Sequence, residues 1–362
     1  MRLAIVLPRN MHFGPDAATS IDLYARDSGL HSRHGADATI LCEPVARPFS
    51  DCRTAPLGTS ALARTPLGRA IDVARHVRAR PVDLILVHQH LPSAAAIARL
   101  CRRTPVALAM HGMPKVLRGV RRTLKARRHG PLAGLVFVSE AAERAFAELY
   151  PDVALPRFVV PNGLDAVAWR GDGARRAEIV SVGRVDPHKG SLEIAQALAR
   201  VLPDHPGWRA RFVGPLAPDK VFASRFREII AAAPQIAYDG PVSQDAVRAI
   251  GLEAEIAIVA SRREGFGRVA IEAFAAGNAL ISTVVDGLGE VVGDCALPLA
   301  RGDADEIEAA LRRLLADEGL RADLARRGRA RFEARYTIEA FARAHDRAVE
   351  GIVAAAGSGR GR

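Results

Sequence analysis

Strand-like and helix-like segments alternate through the first half of this chain, and after a Gly171-Asp172-Gly173 turn the alternation starts again. Apolar, β-branched runs at 3–7, 38–41, 84–88, 106–110, 135–138 and 158–160 read as strands, with helix-compatible patterns at 17–31, 67–78, 93–101 and 141–150 between them. A second series at 179–182, 209–213, 236–238, 255–260, 279–282 and 296–299 implies a second sheet. Segment alternation of this kind builds parallel sheets covered by helices on both faces, so the fold class is α/β with two doubly wound domains. A length of 362 residues suits two cores, and with aromatics at only 5% those cores must be built from Ala, Val, Leu and Ile. The Pro-, Gly- and Ser-rich stretch 44–66 reads as a loop. The chain closes with helices at 303–316, opened by an Asp303/Glu306 capping box, at 320–331 and at 338–353.

Chemistry concentrates in two loops of the second series. Glu264-Gly265-Phe266-Gly267 opens into the helix-forming run Arg268-Val269-Ala270-Ile271-Glu272. Gly265 and Gly267 let backbone approach a ligand closely, and the first-turn amides of the helix are unpaired donors at the positive end of its dipole. Anionic oxygen belongs there, while the carboxylates of Glu264 and Glu272 suit hydroxyl groups; phosphate plus hydroxyls points to a nucleotide sugar. Upstream, the strand ending at Gly183 is followed by Arg184-Val185-Asp186-Pro187-His188-Lys189-Gly190 and an amphipathic helix at 191–202. Loops at the carboxyl ends of parallel strands form the binding crevice, so Arg184 and Lys189 are candidates to converge on one diphosphate.

With these residues in place, the chain resembles the retaining glycosyltransferases of family 4, the group 1 glycosyl transferases with the two-domain GT-B fold. The likeness rests on Gly183-Arg184 with Lys189-Gly190, on the Glu-x7-Glu element, on Ala275-Ala276-Gly277 followed by Leu280-Ile281-Ser282-Thr283 and Gly287-Leu288-Gly289-Glu290, on Val160-Pro161-Asn162-Gly163-Leu164-Asp165, and on Met110-His111-Gly112. It implies two Rossmann-like domains facing a central cleft: an acceptor domain at 1–165 and a nucleotide-sugar domain at 166–337. A helix at 338–356 packs back on the first domain and 357–362 is a flexible tail.

The resemblance also implies roles. Glu264 contacts donor-sugar hydroxyls, Glu272 the ribose, and the amides of Gly265, Phe266 and Gly267 the sugar or phosphate. Gly183, Arg184 and Lys189 hold the diphosphate, and His111 faces the donor sugar, so the catalytic set is His111, Arg184, Lys189 and Glu264. Family members carry a glycine pair after the first strand that contacts phosphate and acceptor; this chain has only Gly14, in Asn10-Met11-His12-Phe13-Gly14-Pro15-Asp16, which the resemblance makes a candidate for binding the donor. The implied reaction is metal-independent hexose transfer from a UDP- or GDP-linked sugar, a substrate rather than a tightly bound cofactor, to a glycan or glycolipid acceptor in cell-envelope synthesis. A nucleotide-sugar epimerase and a non-catalytic binding protein are the competing readings. Asp303-Ala304-Asp305 sits at a predicted helix start and reads as a cap rather than a metal ligand pair.

Composition sets the setting. Four scattered cysteines, Cys42, Cys52, Cys101 and Cys295, form no C-x-x-C pair, which argues against a zinc site or disulfide framework and fits a reducing cytoplasm. The opening apolar run is too short for a signal peptide and no 18-residue apolar stretch occurs, so a soluble or peripheral protein is expected, in the cytoplasm or on the inner face of its membrane. Formal charge is +11. Between Lys115 and His129 stand Lys115, Arg118, Arg121, Arg122, Lys125, Arg127 and Arg128 without an acidic residue, interleaved with Val116, Leu117, Val120 and Leu124. This reads as a basic amphipathic helix suited to an anionic membrane surface; it lacks the stacking aromatics of a nucleic-acid binder, and no nucleic acid is expected.

Overall fold

The structure, a computed structural model, describes residues 1–358 apart from Ala17 and Asp172. It divides into two compact units, one of Met1–Asn162 joined by the segment from Ile338 onward, the other of Gly163–Thr337.

The first unit runs β1 (Leu3–Val6), α1 (Ser20–His31), β2 (Ala38–Cys42), β3 (Thr54–Pro56), α2 (Pro66–Ala79), β4 (Leu84–His88), α3 (Leu91–Leu100), β5 (Val106–Met110), α4 (Gly119–His129), β6 (Gly134–Phe137), α5 (Glu140–Leu149) and β7 (Arg157–Val159). Among the described residues its sheet is seven-stranded in the order β3-β2-β1-β4-β5-β6-β7, with parallel pairing throughout. Strands such as β4, Leu-Ile-Leu-Val-His, are buried at every position, as a sheet covered on both faces requires. Helix starts follow side-chain chemistry: Thr19 caps α1 in a capping box with Asp22, and Ser139 caps α5 by accepting from the amide of Ala142.

The second unit runs β8 (Arg176–Val182), α6 (Ser191–Val201), β9 (Arg209–Val213), α7 (Lys220–Ala232), β10 (Ile236–Gly240), α8 (Gln244–Glu253), β11 (Ala254–Val259), α9 (Arg268–Ala276), β12 (Ala279–Thr283), α10 (Asp286–Val292), β13 (Leu297–Leu299), α11 (Ala304–Ala316) and α12 (Glu318–Arg335). Its six-stranded parallel sheet is ordered β10-β9-β8-β11-β12-β13 among the described residues. The core between sheet and helices gathers Ile194, Leu198, Phe212, Phe226, Ile258, Ile281, Leu311 and Leu314.

The chain then returns to the first unit as α13 (Ile338–Ser358). Ser32 Oγ donates to Asp346 Oδ1 at 2.5 Å, His34 Nε2 meets Glu350 Oε1 at 2.8 Å, and the Phe341 ring meets the Tyr24 ring edge-on at 4.9 Å. Gly134 and Gly351 have no room for a Cβ: it would come within 2.7 Å of Ile352 and 2.5 Å of Phe158.

Several expectations are corrected. The 44–66 stretch is not all loop, since Thr54–Pro56 pairs with β2 as an edge strand, where a proline is tolerated. The basic helix begins only at Gly119, which has φ +55, so Lys115 to Arg118 precede it; His129 turns inward against Phe146 and Tyr150. Asp303 does accept from the amide of Glu306, but the Glu306 carboxylate reaches back to the amides of Ala300, Arg301 and Gly302, so the cap is not reciprocal. Gly357 and Ser358 continue α13, and the rest of the expected tail, 359–362, lies outside the described residues, as does Asp172 of the Gly171-Asp172-Gly173 turn.

One close approach fixes the geometry that follows. Gly190, at φ +66, ends the loop after β8, and a Cβ there would stand 2.6 Å from the carbonyl oxygen of Ala260, in the segment after β11. We expect Gly190→Ala to lower unfolding free energy by at least about 1–2 kcal/mol, from the left-handed backbone alone. The check is the urea midpoint; an unchanged value would show that the two segments do not depend on this contact.

Candidate functional site

In the second unit the chain winds outward from β8 to β9 and β10 and then resumes on the other side of β8 with β11. The carboxyl ends of β8 and β11 therefore flank the point where strand order reverses, where open α/β sheets bind ligands. Both predicted loops lie there. The Lys189 ammonium contacts Oε2 of Glu264 directly, and both side chains are roughly a quarter exposed, at 29% and 21%. Ser261 Oγ, buried beneath them, lies 3.4 Å from the same carboxylate oxygen.

Each partner is held by its backbone. Asp186, buried, accepts from the amide of Lys189 at 3.0 Å and so caps the turn that carries the lysine. The peptide of Glu264 is gripped from both sides: its amide donates to Asp286 Oδ2 at 3.2 Å, and its carbonyl accepts from the amide of Gly287 at 3.0 Å. The amide of Arg262 donates to the carbonyl of His188 at 2.8 Å, tying one loop to the other. Asp286 holds φ +46, an uncommon conformation for a residue with a side chain, directly at this site.

The remaining predicted residues of this unit take different places. Arg184 pairs with Asp186 at 3.0 Å and is otherwise exposed; it stands one residue removed from Lys189 through that shared aspartate. Gly183 continues the sheet, its amide donating to the carbonyl of Val213 at 2.9 Å. Gly265, Phe266 and Gly267 are buried, and the Phe266 ring packs edge-on against Tyr336, so this segment offers backbone rather than side chain. Gly267 stands at the N-cap of α9 with φ +94, and a Cβ there would meet Leu288 at 2.6 Å. Glu272 points elsewhere: it pairs with Arg268 at 3.2 Å and lines a small hollow of about 20 Å³ with Trp169, Val180, Val182 and Val247. Burial raises its carboxyl above the ordinary range, and Arg268 opposes that shift. None of Arg184, Lys189 or Glu264 lines that hollow.

In the first unit strand order reverses between β1 and β4, and Asn10 and Gln89, in the loops after those strands, both sit at positive φ, +59 and +60. His111 follows β5. Its amide donates to Gln89 Oε1 at 2.8 Å, and its Nε2 lies 2.8 Å from Nδ1 of the fully buried His88. Tyr24 packs edge-on against both imidazoles. Burial pushes the His111 imidazole down to about 3, and pushes His88, also repelled by its histidine neighbours, well below the usual histidine value. Gly14 is buried where a Cβ would strike the Arg47 carbonyl oxygen at 2.1 Å, and Asp16 pairs with Arg47 at 3.1 Å. That close packing accounts for the glycine.

Sequence reasoning passed over Asp286, Ser261 and Asp186 as supports of the pair; the Asp286-Gly287 dipeptide was the available signal. Roomier hollows lie elsewhere: about 420 Å³ beside α4 and about 550 Å³ beside the carboxyl end of α9. In the latter, Arg175 and Arg329 are already engaged with helix-terminal carbonyls of Ala276 and Ala275. Charge and loop convergence, rather than volume, single out the Lys189–Glu264 site. Among the described residues no three His, Cys, Asp or Glu are grouped to hold a metal ion, and no helix is long and apolar enough to cross a membrane. The four cysteines are free.

The fold and this loop pair define a class. Anabaena HepE, solved in complex with UDP, superposes with a TM-score of 0.79 over 97% of this chain and 100% of its own at 15% identity, which makes the architecture GT-B. Residues 171–331 match the Glycosyl transferases group 1 family, and residues 29–167 match Glycosyltransferase Family 4. The chain belongs to the family 4 glycosyltransferases. Relatives include a glycogen synthase of Mycobacterium tuberculosis, 29% identical over 219 residues, covering 58% of this chain and 52% of that protein. A D-inositol 3-phosphate glycosyltransferase of Acidothermus cellulolyticus is 32% identical over 189 residues, covering 46% and 42%. The chain thus spans about half the length of these relatives.

The partly buried His111 fixes a pH dependence. His111 stays unprotonated in the folded protein down to about 3, whereas in the unfolded chain it takes up a proton below 6.5. The unfolded state then binds more protons, so stability falls as pH drops through this window. Urea midpoints at about pH 7.5 and about pH 5 should show the loss, and His111→Asn should reduce it.

Proposed function

We propose that this protein is a retaining, metal-independent glycosyltransferase that moves a hexose from a UDP- or GDP-linked sugar to a saccharide or lipid-linked acceptor in cell-envelope glycan synthesis. The observation that carries the proposal is the Lys189–Glu264 contact at the strand-order reversal of the second unit, beside the amino end of α9. Membership of the family supports it, and HepE has also been solved in complex with UDP-glucose.

Breaking the sugar–phosphate bond develops negative charge on the departing diphosphate. Lys189 and the first-turn amides of α9 supply positive charge there without reorganising, and Arg184, largely exposed, reaches the same anion from the start of the loop. Glu264 has two tasks: it holds Lys189 and presents its other oxygen to sugar hydroxyls. The acceptor hydroxyl then attacks on the face the diphosphate leaves, a leaving-group oxygen taking its proton, so no protein nucleophile enters. His111 orients the sugar. Glu272, paired with Arg268 further along α9, accepts from the ribose hydroxyls outside the small hollow near Trp169, and Gly14 contributes backbone near the phosphate and acceptor.

A membrane-borne acceptor is favoured by α4 and the residues before it. Val120 and Leu124 are 74% and 52% exposed four residues apart on α4, Val116 before the helix is 62% exposed, and Arg118, Arg121, Arg127 and Arg128 are exposed around them. Apolar side chains in that pattern suit the interface of an anionic bilayer.

Lys189→Ala and Glu264→Ala should each lower kcat by roughly 100-fold or more with the melting temperature little changed, since the first removes positive charge beside the departing diphosphate and the second removes the carboxylate that holds that lysine and the sugar hydroxyls. Near-normal transfer by either variant removes that residue from the mechanism. A thermal-shift panel of UDP-, GDP- and ADP-sugars should show stabilisation by one nucleotide alone, and EDTA should leave turnover intact. Co-sedimentation with phosphatidylserine vesicles should be salt-sensitive and weakened in an Arg121→Ala/Arg128→Ala variant; equal binding to neutral vesicles would exclude the electrostatic contact.

A further inference from the structure

Two imidazoles meet in the first unit, and of the two only His111 is partly exposed. His88 is fully buried, and its Nε2 has no hydrogen-bond partner. Its Nδ1 lies 2.8 Å from His111 Nε2. The ring planes are within 18° of parallel with centroids 4.9 Å apart. Nitrogens this close, closer than stacked faces come, mark an edge-to-edge hydrogen bond rather than a stack. The Tyr24 ring lies edge-on at 5.5 Å from one imidazole and 4.9 Å from the other, opposing rotation of either. Turning His88 over would replace its bonding nitrogen by a carbon.

Two neutral imidazoles share two N–H protons among four nitrogens, and one proton must lie between His88 Nδ1 and His111 Nε2. If His111 owns it, the proton of His88 sits on Nε2, a buried donor with no acceptor. If His88 owns it, Nε2 of His88 keeps only a lone pair, and the proton of His111 moves to Nδ1. Orphaned buried N–H groups are the rarer and costlier case. We propose that His88 is a positioning residue: by donating from Nδ1 to His111 Nε2 it fixes the tautomer in which His111 offers an Nδ1–H donor to the oxygen atoms of a bound sugar. This inference rests on the glycosyltransferase reading for its ligand, but not for its tautomer.

The test is long-range proton–nitrogen NMR on full-length protein labelled with 15N-histidine, the His111 signals being assigned with His111→Asn. In the unsubstituted protein His111 should show a protonated Nδ1 and a bare Nε2. His88→Phe, which removes the donor, should shift His111 toward the Nε2–H form and lower kcat about tenfold with little change in KM for the donor sugar. His88→Asn, whose amide places an N–H near the lost Nδ1, should restore both readouts to within about threefold in rate. A protonated Nε2 on His111 in the unsubstituted protein overturns the proposal without any variant. So does a tautomer that His88→Asn and His88→Phe both leave unmoved. If the unsubstituted protein transfers no sugar at all, the glycosyltransferase reading fails, while the nitrogen signals still decide the role of His88.

Discussion

A parallel sheet delivers every strand end to one edge, and the second unit depends on what happens where β8 and β11 end side by side. Gly190 and the Ala260 carbonyl approach so closely that only hydrogen fits, and the Arg262 amide closes the same gap onto His188. With the two loops fixed, a lysine from one and a glutamate from the other must meet. Both side chains keep some contact with water, and each neutralises the other where the loops meet. The buried Asp186 and the clamp of Asp286 and Gly287 on the Glu264 peptide act one layer further back. They set backbone positions, which in turn set the pair.

The sheets were legible in the sequence because parallel strands buried on both faces must be apolar at every position, as at 84–88 and 279–282. Helices α7, α8 and α10 were harder to see. In α10, two glycines among seven residues hide the pattern, and its importance lies in donating the Gly287 amide to the Glu264 carbonyl rather than in any periodicity. The edge strand at 54–56 was obscured by its proline and by exposure of its side chains.

The site was legible in part, and the reason is specific. Strand-end position placed Lys189 and Glu264 at one edge, and backbone contacts do bring them together. Side-chain direction was not readable. Glu272 lies on the same helix that Glu264 precedes, yet an i,i+4 partner, Arg268, holds it toward the hollow near Trp169. Arg184 is drawn to Asp186, a pairing that a reading of the loop as a turn did not weigh. The relation of His88 to His111 arises only because β4 and β5 are neighbours.

The return of α13 has a consequence for the order in which this polypeptide matures on the ribosome. Gly163–Thr337 is one unbroken stretch and can close as soon as it has emerged. The amino-terminal unit, although synthesised first, must wait for the last helix to supply Phe341 and Asp346, the partners of Tyr24 and Ser32. Until then the wall behind the paired imidazoles is missing, so of the two units the one begun first is completed second.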